Sequence, residues 1–132
     1  MATSRTKGMA SYRRVSRNTA LPGQRIVMLY DGILKALQTA KSAIEDDSPQ
    51  RFEVVHNELQ RSQQIIRALI SALDYNADND LAQTLSDLYE YWISRLSQAN
   101  LRNDKEIIEE VEGLVSEMRK TWQQVAAESM KK

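Results

Sequence analysis

Between Leu85 and Leu114 the chain encodes a helix, an abrupt stop and a second helix. Leu85, Leu88, Trp92, Leu96 and Ala99 recur at helical spacing, and Ile107, Val111, Leu114 and Met118 repeat the pattern after the break. Asn103 stands at the break, placed to accept from the backbone N–H of Glu106 while the Glu106 carboxylate reaches back, a variant of the capping box. A connection this short forces an antiparallel helical hairpin. The hairpin also carries more apolar surface than one seam needs. Tyr89 and Ile93 widen the arc centred on Leu88 and Trp92, with Tyr91 on the other flank, and Ile108, Val115 and Ala126 widen the stripe that runs from Ile107 to Val125.

Two further helices precede it. Pro22 suits a first helical turn, where a missing N–H costs nothing. Ile26, Leu29, Tyr30, Ile33, Leu37, Ala40 and Ile44 then share one arc. Ser48 followed by Pro49 predicts the start of a second helix running to about Leu73, with a stripe of Phe52, Val55, Leu59, Ile66, Leu69, Ile70 and Leu73. Asp78 or Asn79 caps a third helix over about 80–101, and the fourth spans 104–127. Short connections between four amphipathic helices give an all-α fold, an antiparallel up-down-up-down four-helix bundle with a flexible N-terminal arm. With 132 residues, 42% of them hydrophobic, the chain is one domain. Its expected divisions are a flexible basic arm at 1–18, the bundle at 19–127 and a disordered tail at 128–132.

The second helix has a second stripe, Val54, Ile65, Ala68 and Ala72, roughly opposite the first. Either this helix is covered from both sides by its own bundle, or the stripe is kept for a partner. On the second reading, Val54, Ile65, Ala68, Ala72, Tyr89 and Ile93 are the candidate groove residues. Each large side chain fully buried contributes roughly 1.5–3 kcal/mol, so surplus apolar flanks call for a cover. Gly32 and Gly113 fall off the centres of their stripes, either as tolerated defects or as places where another helix comes close.

Chemistry is sparsely represented. The chain has no cysteine and one histidine, so thiolate chemistry is excluded and any Ser–His pair would have to use His56. Glu53 and His56 have the Glu-x-x-His spacing of carboxylate-bridged di-iron bundles, but a second such pair is missing. These features predict a non-enzyme with no metal or cofactor. No run of eighteen apolar residues and no apolar leader region occur, so membrane insertion is not expected and a cytoplasmic protein is. Net charge is zero, yet Arg5, Lys7, Arg13, Arg14, Arg17 and Arg25 fall in the first thirty residues without one acid. An alternative reading follows: a nucleic-acid-binding regulator that uses this basic arm. The lack of a recognition helix rich in Arg, Asn or Gln argues against nucleic acid, and the plainer reading is a disordered, solvated arm free to fold back on the acidic remainder.

Several pieces recur in one order. Thr19–Pro22 (Thr-Ala-Leu-Pro) precedes Met28–Gly32 (Met-Leu-Tyr-Asp-Gly), followed by Leu88–Tyr91, Gln98–Asp104, Glu109–Leu114 and Trp122, with Tyr12 seven residues before Thr19. In this order the chain resembles the flagellar secretion chaperone FliS family over nearly its whole length. The resemblance implies a bundle that binds the C-terminal segment of flagellin in hydrophobic grooves, blocks premature polymerisation and docks at a component of the flagellar export gate. It also implies an N-terminal segment that covers one groove and moves aside, with Tyr12 and Val15 as its anchor. Other flagellar regulators are further candidate partners, and exposed grooves favour a homodimer when cargo is absent. Leu21 departs from the family's usual Ser or Thr before Pro22. The first helix therefore lacks its side-chain cap unless another residue, such as Thr19, supplies one.

Overall fold

The computed structural model describes residues 15–130. Within them lie four helices: α1 (Gly23–Asp46), α2 (Arg51–Ser71), α3 (Asn79–Arg102) and α4 (Lys105–Met130). Each packs on its neighbours in sequence, and α4 returns to α1, so the helices form a closed ring. Cross-helix pairs fix the directions. Lys41 near the end of α1 meets Glu112 near the start of α4, Gln63 of α2 meets Ser97 of α3, and Arg95 of α3 meets Glu110 of α4. The architecture is an all-α, up-down-up-down bundle, as expected.

The helix ends follow local chemistry. The Asp78 carboxylate accepts from the Leu81 N–H at 3.1 Å, so Asp78 rather than Asn79 caps α3. At the hairpin the expected cap is displaced by one residue. Asn103 takes the left-handed conformation (φ 51°, ψ 46°) that closes α3, a conformation Asn tolerates. Asp104 then accepts from the N–H groups of Glu106 and Ile107 at 3.0 and 3.3 Å. Two residues thus divide the work that the sequence pattern gives to Asn103 alone. Ser48 makes no side-chain cap, since it is its carbonyl that accepts from the Arg51 N–H, and α2 starts after Gln50. Pro22 is the residue before α1, with no side-chain cap there, and the Thr19 hydroxyl accepts from the Leu21 N–H at 3.3 Å instead.

The core sits where the four stripes meet, but two stripes are rotated from their expected phase. In α3, Tyr89 is 1% exposed and lies with Leu85, Trp92, Leu96 and Ala99, while Leu88 is only half-buried. In α4, Ile108, Val111, Val115, Trp122 and Val125 are buried, whereas Leu114 is 37% exposed and Met118 half-buried. Phe52, expected in the α2 stripe, is 57% exposed and carries the Arg51 guanidinium over its ring.

At the centre the Tyr30 and Tyr89 hydroxyls are 2.9 Å apart, and the Trp122 indole N–H donates to Tyr30 at 3.2 Å. Trp92 stands edge-on to both tyrosines, with ring centroids 5.9 and 5.2 Å away. Such pairs add about 0.5–1.5 kcal/mol each beyond burial. Burial pushes the Tyr89 hydroxyl up to about 12 and raises Tyr30 well above its ordinary value, with the adjacent Tyr89 adding to the effect.

The glycines separate into working and idle positions. A Cβ on Gly23 would stand 3.0 Å from the Ala126 backbone, so this glycine lets the start of α1 meet the end of α4. One on Gly113 would meet nothing within 4 Å. Gly113→Ala is expected to stabilise the bundle by about 0.5–1 kcal/mol, the difference in helix propensity, whereas Gly23→Ala should destabilise it. Urea unfolding of the two variants checks both signs.

Candidate functional site

The seams between helices are built differently. Those involving α4 are stitched by charge. Lys41–Glu112 (2.7 Å), Lys105–Glu45 (2.5 Å) and Arg119–Asp31 (2.6 Å) bridge α1 and α4. Between α3 and α4, Arg95 and Tyr91 converge on Glu110, with the Tyr91 hydroxyl 2.6 Å from the carboxylate. Hydrogen bonds from Arg95, then Tyr91, hold Glu110 below the usual carboxylate range, and Glu110 in turn raises Tyr91.

The α2–α3 seam is polar and uncharged. Gln63 is 7% exposed and donates to the Ile93 carbonyl (2.9 Å) and the Ser97 hydroxyl (2.8 Å). His56 bonds Asn100 at 2.8 Å. An open groove of about 590 Å³ runs here, lined by His56, Gln60, Gln63, Ser97, Asn100 and Leu101. Among the described residues no three His, Cys, Asp or Glu side chains converge on a metal-sized site, so the Glu53/His56 spacing gathers no further ligands.

The α1–α2 seam relies on small residues. A Cβ on Gly32 would lie 3.1 Å from the Ile65 side chain, so the two helices close over this glycine. Val54, Ile65, Ala68 and Ala72 follow one another along this side of α2, since eleven residues make three turns and the later two keep the register. Val54, Ile65 and Ala72 are half-buried and Ala68 is exposed. Four of the six groove candidates therefore form one row beside α1. Ile93 is half-buried on the other side of α2, at the polar seam. Tyr89 is inside the core and presents no surface, because its hydroxyl is needed by Tyr30 and its ring by Trp92.

Met28 was missed by stripe reasoning, although it is 66% exposed. It lies one helical turn before Gly32, so the glycine's position off the core stripe was the available signal. Met28 extends the α2 row across the seam.

The chain leading into α1 is fastened to the far end of α2. Thr19 pairs with Leu73 in an antiparallel bridge, the Ala20 N–H donates to Ala72 (2.8 Å) and the Asp74 N–H donates to Asn18 (2.8 Å). Asn18 is fully buried, and Val15 is half-buried against the core, whereas Tyr12 lies outside the described residues.

Among the described residues no helix is long and apolar enough to cross a membrane. The family model for Flagellar protein FliS matches residues 5–129. The chain is 40% identical to the Flagellar secretion chaperone FliS of Salmonella typhimurium, the alignment covering 90% of each chain. It is 39% identical to the protein of that name from Bacillus subtilis, over 86% of this chain and 82% of the relative. The Escherichia coli counterpart is 35% identical over 89% and 88%. These matches span nearly the whole chain, and the chain belongs to the FliS family of flagellar secretion chaperones, a family of chaperones and not of enzymes.

Proposed function

We propose that this protein is a cytoplasmic export chaperone that holds the C-terminal segment of flagellin, prevents its premature polymerisation and brings it to a component of the flagellar export gate. The observation that supports this reading best is the row Val54, Ile65, Ala68 and Ala72 with Met28 beside it. It is a row of apolar residues, interrupted between Val54 and Ile65 by Glu58 and Arg61, on a bundle whose core is already closed by other residues. A segment that folds on binding can cover such a strip and still be released, because ordering costs offset part of the contact energy. The lead-in segment, fastened to Ala72 and Leu73 at one end of the strip, sits where cargo and arm would compete.

Ala68→Glu puts a charge on the strip at an exposed position, and Ile65→Glu puts one at its half-buried centre. Both are expected to weaken capture of co-expressed flagellin by tenfold or more, as loss of a central contact does. Ala68→Glu should leave helical circular dichroism unchanged. Flagellin lacking its C-terminal segment should escape the unaltered protein. Equal capture of full-length and truncated flagellin, or full capture by Ala68→Glu, would refute the reading.

A further inference from the structure

Charge is distributed unevenly among the seams. Lys41, Arg95, Lys105 and Arg119, which border α4, each have a carboxylate within ion-pair distance. Of the exposed cations without an ion-pair partner among the described residues, some, such as Arg67 and Arg102, lie elsewhere, while Arg25, Lys35 and Arg61 gather on the α1–α2 side. Their placement follows from the Gly32–Ile65 contact. Arg25, Met28 and Lys35 are two turns before, one turn before and one turn after Gly32, and Arg61 and Ala68 flank Ile65 in the same way. Three unpartnered cations thus border the strip of Met28, Ile65, Ala68 and Ala72. Glu58, the carboxylate two turns before Ile65, is half-buried.

We infer that the occupant of this face is a helical segment whose apolar ridge is flanked by Asp or Glu, with its carboxylates meeting Arg25, Lys35 and Arg61. This rests on the cargo reading above and adds the chemistry by which cargo is chosen. An apolar ridge covering Met28 and Ala68 displaces water from around the three cations. A carboxylate arriving with it then meets them in a less screened setting than open solvent. A nucleic acid fits less well, because Met28, Ile65 and Ala68 interrupt what would have to be a cationic track.

The test uses the full chain and a peptide of the C-terminal segment of flagellin from the same bacterium, titrated at about 0.05 and 0.5 M salt, where screening lengths differ several-fold. The triple variant Arg25→Glu/Lys35→Glu/Arg61→Glu is expected to keep its circular dichroism. It should bind roughly tenfold more weakly at low salt, three exposed pairs contributing modestly each. Its salt dependence should reverse, because salt screens the new repulsion from the acidic peptide, and a peptide with its Asp and Glu changed to Lys should recover affinity for it. Equal affinity of the triple variant and the unaltered protein overturns the inference and leaves the cargo reading standing. A face occupied instead by a second copy, seen as a salt-sensitive dimer abolished by the triple variant, or by duplex DNA that displaces the peptide, overturns both this inference and the cargo reading for this face. If the unaltered protein binds no flagellin peptide, the cargo reading fails first and this inference with it.

Discussion

Trp122→Phe is expected to destabilise the bundle by about 1–3 kcal/mol more than Trp92→Phe, although both remove the same atoms from the same core. Both indoles are buried, at 1% and 0% exposure. The difference lies in the indole N–H. That of Trp122 donates to the Tyr30 hydroxyl, so its removal breaks a buried hydrogen bond inside a three-member network. That of Trp92 has no acceptor among the described residues, so phenylalanine there discards a desolvated donor along with the ring. Urea midpoints of the two variants at neutral pH decide the matter. Equal losses would mean that the Trp122–Tyr30 bond contributes nothing net.

The bundle is also expected to fail steeply in alkali. Tyr89 titrates near 12 when folded against about 10 when unfolded, and Tyr30 is raised as well, both chiefly by burial. A group that holds its proton more tightly when folded adds stability that is fully present below its unfolded value and lost as pH climbs through the folded one. Tyr89 alone should forfeit on the order of 3 kcal/mol between pH 10 and 12. Lys105, raised by Glu45, adds a loss of the same sign. Tyr89→Phe separates these contributions. It should cost about 1 kcal/mol at pH 8, where Tyr30 loses a hydrogen-bond partner, and become the more stable protein above pH 11. Parallel pH profiles for variant and wild type would show that the Tyr89 hydroxyl holds its proton no more tightly in the folded protein than in the unfolded chain.

Much of the architecture was legible because it depends on spacing alone. Four apolar periods, the stop near Asn103 and the Asp78 cap define four antiparallel helices without knowledge of what each touches. Phase was less legible. Leu88 and Tyr89 are adjacent on α3, and either could centre a stripe with Trp92, so the period cannot choose between them. The choice is made across the bundle by the Tyr30 hydroxyl and the Trp122 N–H, partners in distant helices. The same ambiguity moved the α4 stripe from Leu114 and Met118 to Ile108 and Val115. Phe52 failed for another reason: it lies in the first turn of α2, at the end of the bundle, and its ring is covered by Arg51 instead of the core. Of the groove candidates, those on α2 were placed together because one helix carries them. Tyr89 and Ile93 required knowing which way α3 is turned.

The aromatic centre has a practical consequence. The chain's two tryptophans are both sealed in one cluster, remote in character from the polar and mixed seams outside. Their emission is therefore a built-in gauge of whether the interior is intact and is insensitive to what sits on the outside. A ligand that docks without disturbing the interior leaves that signal still, and one that pries the helices apart announces itself in the wavelength.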